Sequence, residues 1–283
     1  MGFTRNDLKF LGERLLYFCG SAMLLWWYPR YLKFRRSLEH PLKVQEAKLM
    51  RLLKANRDTE YGRRHGFGEI RSIADFQARV PVASYENLEP YIQRELQGEQ
   101  NVLTHEAPHL FLLTSGTTGR PKYIPVTRDF AREFHTPLWS FHLIRHLPSL
   151  GYFNSVLPIV NPEVKDRTPT GIPFGAASGH IFLSQGWVVG LTYALPYPVY
   201  TLSDWDAKNY AMIRLSLEKP VRLLITANPG TFLTLVRKAN DWLEIILRDL
   251  ETGRLSREFF MEPHLHAQLE GGLAPNPRVA RRL

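Results

Sequence analysis

From Leu42 to Leu53 apolar residues recur at helical spacing with basic residues between them, which predicts an amphipathic helix. Ser72 is placed to cap a short helix through Phe76. Ser84 opens another toward Leu96 that stops at Gly98, with Pro81 separating the two. The pattern then changes. Leu110–Leu113 is a short apolar run, followed by a Gly/Thr-rich turn and a second short run, Tyr123–Val126. Thr127 can cap the long helix that follows, with Asp129 and Glu133 near its positive end. Further strands are expected at Phe153–Pro158, Trp187–Leu195 and Val221–Thr226, with a helix around Asp206–Leu217 between the last two. Asn228 caps a helix that has Pro229 in its favoured first position, runs to about Leu250 and is stopped by Gly253. Residues 160–180 hold several Pro and Gly and read as an irregular loop near the site. Strands alternating with helices imply an α/β layered fold with a largely parallel sheet.

Composition adds little to that picture, but charge and the front end add more. With 283 residues, 44% of them apolar, the chain can bury a sizeable core as one large domain or two smaller ones. Its single cysteine, Cys19, excludes an internal disulfide framework and any multi-thiolate zinc site, and fits a reducing, cytoplasmic compartment. The net charge of +9 is uneven: residues 1–66 carry 14 Lys and Arg against 6 Asp and Glu, and the rest is nearly balanced. Nucleic-acid binders spread basic groups over a folded face with aromatics between them, so no nucleic-acid partner is expected. The basic excess instead surrounds an uncharged apolar run, Leu15–Tyr28. That run is short of the roughly 20 residues a membrane-spanning helix needs. Its exit, Trp26-Trp27-Tyr28-Pro29-Arg30, lacks the small residues of a signal-peptide cleavage site. Two readings stand: a helix at a membrane surface, with peripheral contact through residues 9–37, or a helix docked on the rest of the protein. Residues 1–38 are accordingly expected to form a basic, apolar helical extension, and 39–283 a partial enzyme domain.

The informative segment is Thr114-Ser115-Gly116-Thr117-Thr118-Gly119-Arg120-Pro121-Lys122. Its glycines let backbone amides turn inward and approach a ligand closely, and its four hydroxyl side chains add donors. A concave run of N–H groups favours an anion, and Lys122 supplies a full positive charge at the far end. Together they make a polyphosphate cradle. Neither G-x-x-x-x-G-K-[ST] nor G-x-G-x-x-G aligns to it. The context differs as well: strand, loop, strand, and only then helix. The bland alternative is a polar hairpin turn, but a generic turn does not require this dense hydroxyl run followed by Pro-Lys.

This segment resembles the phosphate-binding motif of the adenylate-forming superfamily. The flanks narrow the resemblance. Asn56 to Phe67, then Val80-Pro81-Val82 with Tyr85-Glu86, Thr114 to Thr127, and Ala227-Asn228-Pro229 are similar to the Gretchen Hagen auxin-responsive family of acyl-acid amido synthetases. The likeness runs in order from about residue 40 to the end, nearer to the bacterial members than to the plant hormone enzymes. It implies the α/β amino-terminal domain of an adenylate-forming enzyme and a two-step reaction. A carboxylate attacks the α-phosphorus of Mg-ATP, giving an acyl adenylate and pyrophosphate, and an amine then attacks the activated carbonyl. Thr114, Ser115, Gly116, Thr117, Thr118, Gly119 and Lys122 would hold the nucleotide, with ATP and Mg2+ as cofactors and no protein-held metal site. The partners implied are a small carboxylic acid and an amino acid or other amine.

The family's acidic adenine-side motif, its Gly-Asp ribose segment and its lysine-bearing carboxy-terminal domain have no counterpart in these residues, so no catalytic residue is assigned. The chain reads as an amino-terminal portion, with weak or no turnover expected of it alone. A thioester-forming acyl-CoA synthetase and a non-catalytic, membrane-associated nucleotide-binding module are the alternatives. In the helix after the cradle, Trp139, His142 and Arg145 could line an acyl pocket, although an ordinary core-facing helix explains them too. Asn228 could approach the nucleotide, but its capping role already accounts for it. Ser178 lacks the G-x-S-x-G spacing of a nucleophile elbow, and His264 and His266 stand without further ligands nearby.

Overall fold

A computed structural model describes residues 28–114, 120–133, 156–185, 190, 192–259 and 261–283. The chain divides into two compact units. One holds the described residues up to 133 together with 163–181; the other holds 156–162 and those from 182 onward.

The first unit opens with helix at residues 28–37 (α1), followed by α2 (Pro41–Asn56) and the short α3 (Glu60–Arg64). The expected amphipathic helix is therefore present and slightly longer than its apolar pattern. The turn from α2 into α3 is made by Thr59, whose hydroxyl donates to the Asn56 carbonyl at 2.8 Å and accepts from the Gly62 amide at 3.0 Å. A Cβ on Gly62 would lie 2.0 Å from that same carbonyl, so the crossing requires glycine. Ser72 caps α4 (Ile73–Arg79) through the Asp75 amide at 3.1 Å, three residues beyond the expected end. At the start of α5 (Tyr85–Leu96) the Asn87 side chain accepts from the Ser84 amide at 2.9 Å.

The sheet of this unit is mixed, with strands in the order β2 (Lys122–Val126), β1 (Leu110–Thr114), β5 (Pro173–Ala176), β4 (Asp166–Arg167). β1 pairs antiparallel with β2 and parallel with β5, and β4 pairs antiparallel with β5. Phe111, Ile92 and Leu96 form its core, joined by Tyr85, Leu88, Tyr123 and Phe174, so α5 lies on the sheet. Residues 160–180 are not the irregular loop expected. They supply β4, β5 and the start of α7 (Ala177–Ser184). The Pro and Gly content that suggested a loop has a local cause. The segment before β4 runs so close to β5 that a Cβ on Gly175 would meet the Glu163 carbonyl oxygen at 2.0 Å, and the Lys165 amide donates to Phe174 O at 2.8 Å. Thr127 Oγ1 accepts from the Phe130 amide at 3.2 Å, and residues 128–133 are helical (α6). The expected long helix beyond 133 lies outside the described residues.

In the second unit β3 (Val156–Ile159) and β6 (Leu223–Thr226) pair in parallel. Of the strand expected at 187–195, residues 187–189 and 191 lie outside the described residues. In the described remainder only Tyr193 bridges, to Val156, because Pro196 and Pro198 follow and turn the chain into a 3-10 helix, Tyr197–Thr201. α8 (Trp205–Ser216), capped by Asp204, is buried at every position from Ala207 to Leu215. It carries polar groups into the core. Tyr210 donates to Asp249 and accepts from the Ser256 amide at 2.8 Å, and Arg214 donates to the Asp249 carbonyl at 2.9 Å. The single helix expected from Asn228 to about Leu250 is two, α9 (Pro229–Asp241) and α10 (Leu243–Thr252). They break at Trp242, whose ring turns in to pack edge-on against Phe259 at 4.7 Å, under the Lys238 ammonium. Gly253, with φ +69°, ends α10 as expected, and short helices at Pro263–Glu270 (α11) and Pro277–Ala280 (α12) follow. The α/β class thus holds, with parallel pairing at β1–β5 and β3–β6. Among the described residues no helix is long and apolar enough to cross a membrane, and of the apolar run 15–28 only Tyr28 is described.

Two stability outcomes are expected. Tyr210→Phe strips Asp249 and the Ser256 amide of a buried partner. It should lower the unfolding free energy by about 2 kcal/mol in urea titration, whereas an exposed control such as Tyr28→Phe leaves it unchanged. In the first unit, Glu95 Oε1 accepts from the Leu103 and Thr104 amides at 2.9 and 3.0 Å, while burial pushes the carboxyl above the usual 4.5. A carboxyl raised on folding favours the folded state below its unfolded value, and that contribution fades as pH climbs through the raised value. Unfolding midpoints should therefore fall as pH rises from 4.5, a slope that Glu95→Gln flattens. Glu95→Ala should instead cost about 2 kcal/mol by leaving both amides without an acceptor.

Candidate functional site

The Gly/Thr-rich turn joins the two antiparallel strands β1 and β2, whose last rung pairs Thr114 with Lys122. The expected order of strand, loop, strand and helix is thus the observed one. Ser115, Gly116, Thr117, Thr118 and Gly119 lie outside the described residues, but both ends of the loop are described. Thr114 and Arg120 are exposed and Lys122 is partly covered, and Thr114 and Lys122 stand opposite each other in the last rung at the mouth of the turn.

The first turn of α5 organises that mouth. The Tyr123 amide donates to the Tyr85 hydroxyl at 2.9 Å, which ties the start of β2 to the helix. Lys122 Nζ lies 4.9 Å from the centre of the Tyr85 ring and 3.0 Å from Glu86 Oε1. The Glu86 carboxyl is held down at about 2 by the Ser84 hydroxyl, its own amide and the Lys122 ammonium. It remains ionised throughout the physiological range and gives Lys122 a standing counter-charge. An exposed pair of this kind is weak and exchangeable, so a polyphosphate can take the lysine from Glu86. The donor set at the mouth fits an anion: a cation, an adjacent hydroxyl and a further exposed guanidinium on Arg120. Tyr85 and Glu86 are the two residues the motif alone did not select. Their signal was the flank Val80-Pro81-Val82…Tyr85-Glu86, whose spacing carries no chemistry until the helix is folded against β2.

Trp139, His142 and Arg145 lie outside the described residues. Asn228 belongs to the second unit, where its side chain accepts from the Gly230 amide at 2.8 Å as the cap of α9. Ser178 sits in α7, and His266 Nε2 is 3.1 Å from the Leu255 carbonyl. The second unit also places a lysine that sequence reading missed. Lys208, buried in α8, donates to Val160 O at 2.8 Å and Asn161 Oδ1 at 3.1 Å just beyond the end of β3, and burial lowers it to about 8.

The family model described as the GH3 family N-terminal domain matches residues 30–283. Among curated proteins, the indole-3-acetic acid-amido synthetase GH3.10 of Arabidopsis thaliana is 28% identical over 271 residues, 88% of this chain and 45% of that protein. The jasmonoyl–L-amino acid synthetase GH3.3 of Oryza sativa subsp. japonica is 39% identical over 155 residues, 54% of this chain and 34% of its own length. The chain thus spans less than half the length of these relatives. Among solved structures, that of the GH3.15 acyl acid amido synthetase superposes with a TM-score of 0.71 at 23% identity, covering 84% of this chain and 43% of that one, a likeness of fold. With a family match over nearly its whole length and the same fold beneath it, the chain belongs to the GH3 family.

Proposed function

We propose that the chain is the ATP-gripping, amino-terminal part of an adenylate-forming acyl-acid amido synthetase. The observation that carries this reading is the Thr114–Lys122 rung, with its parked ammonium, closing a turn of hydroxyls and glycines in a GH3-family chain. In the reaction proposed, a carboxylate oxygen attacks the α-phosphorus of ATP, the bond to the β-phosphate oxygen breaks and pyrophosphate leaves. The amine of a second substrate then attacks the acyl adenylate and expels AMP. Ser115, Thr117, Thr118 and the amides of Gly116 and Gly119 hold the phosphates, Thr114 borders them, and Lys122 offsets their charge once it leaves Glu86. When bound with ATP, Mg2+ would supply further neutralisation of the phosphate charge and would need few protein ligands. One relative is named for an amide of indole-3-acetic acid and another for joining a jasmonoyl group to an L-amino acid, which supports a small carboxylic acid and an amino acid as substrates here. Trp139, His142 and Arg145 are the proposed acyl-pocket residues, and residues 1–38 are proposed as an extension ahead of the catalytic domain.

Carboxylate-dependent ATP–pyrophosphate exchange by the GH3 protein that contains this chain tests the chemistry; exchange that ignores added carboxylic acids would end it. The grip is tested separately by ATP titration calorimetry. Lys122→Ala should weaken ATP binding about tenfold, the effect of one lost charge-assisted contact. Glu86→Gln should tighten it by releasing the lysine, most clearly at low salt. A weaker complex with Glu86→Gln would show that the carboxylate serves the ligand rather than competing with it.

A further inference from the structure

Two of the segments that flank the phosphate cradle in the sequence, Asn56 to Phe67 and Val80-Pro81-Val82, supply none of its donors. The structure brings them together against α5. There the first unit has an open cleft of about 530 Å3, lined from α3, from residues 81–83 and from α5. That volume lies within the range of small-molecule sites. Part of its lining is aromatic. Tyr61 and Tyr91 meet edge to face, ring centres 5.4 Å apart at 89°, and His65 lies against Tyr61 at 4.3 Å. Pro81, Val82 and Pro90 line it as well, all three exposed. Its two arginines are not equivalent. Arg94 is already neutralised, 2.7 Å from Glu60 and paired with Glu99. Arg64 has no carboxylate partner among the described residues, and its Nη1 donates to the Tyr91 hydroxyl at 2.7 Å. The remaining guanidinium N–H groups and the phenolic proton of Tyr91 are thus adjacent donors.

We propose that this cleft binds a small monocarboxylate with a flat apolar body, its carboxylate on Arg64 and the Tyr91 hydroxyl and its body against Tyr61, Pro81 and Val82. Two neighbouring donors, one of them cationic, match the two oxygens of a carboxylate. Glu60 also lines the cleft, so a second negative charge on the ligand would be repelled and a single one is matched. A flat ring suits the corner made by two perpendicular tyrosines, where it can stack on one and meet the edge of the other. No cradle residue and none of the residues proposed for the acyl pocket lines the cleft. A ligand there leans on the helix whose first turn holds Lys122 and Tyr123. The proposal rests on the geometry of the first unit and not on the ligase reaction.

The test titrates the GH3 protein that contains this chain with 2-naphthoate in a calorimeter, without ATP. 2-Naphthamide serves as the neutral isostere and inorganic phosphate as an anion with no apolar body. Saturable binding of 2-naphthoate is expected, about tenfold or more tighter than either control, as the loss of a charge-assisted contact or of the apolar body predicts. Arg64→Gln should weaken it about tenfold and Tyr91→Phe a few-fold. Arg64 is exposed, so an unmoved thermal melt of Arg64→Gln separates lost binding from lost folding. Absence of saturable binding, binding indifferent to either substitution, or amide or phosphate held as tightly as the naphthoate would overturn the proposal. Each of these results leaves the ATP–pyrophosphate exchange assay untouched, so the two readings stand or fall separately.

Discussion

One hydrogen bond sets the geometry on which the candidate site depends: the Tyr123 amide donating to the Tyr85 hydroxyl. It fixes where β2 enters the sheet and, with it, the position of Lys122 one residue earlier. The tie holds because α5 is itself anchored, through Ile92 and Leu96, on Phe111 of the neighbouring strand. The mouth of the turn is therefore defined by burial behind it. Charge enters only at the rim, where Lys122 and Glu86 hold each other weakly enough to part. That order suits an anion-binding loop, since its scaffold stays in place whether or not the lysine has exchanged partners.

The second unit keeps its polar groups inside. α8 is enclosed by Val199, Tyr200, Ile246 and Leu250, and yet it brings Lys208, Tyr210 and Arg214 into that enclosure. Each satisfies a main-chain group of a neighbouring segment: Lys208 after β3, Tyr210 at Ser256, Arg214 in the last turn of α10. These contacts fasten the surrounding backbone to a helix that cannot move without breaking the core.

How much of this was legible in the sequence follows the range of the interactions involved. Caps are local, and Ser72, Ser84 and Asn228 sit where caps were expected, while Asp204 caps a helix whose start was placed two residues later. The Thr114-to-Lys122 motif is equally local, and its setting between two strands was readable from the apolar runs on either side. What escaped is long-range. β5 could not be recognised because its Pro173 and Gly175 argue against a strand until the approach of residue 163 is known. The break at Trp242 was hidden for the same reason: the helical pattern continues through it, and only the ring partners Tyr210 and Phe259 explain the turn. Lys208 looked like one more basic residue on a helix until the helix proved to be buried on every side.

The close approach at Gly175 also bears on how this stretch can diverge. Its neighbours in β5, Pro173, Phe174 and Ala176, are only partly buried. At residue 175, by contrast, a carbonyl oxygen already occupies the volume of a first side-chain carbon, so one-step replacement is closed unless the 163–165 segment shifts at the same time. Lineages that share this crossing should therefore keep glycine there while the surrounding prolines and hydroxyl residues drift. That makes Gly175 a fixed point for registering distant sequences through a segment that otherwise offers little to align.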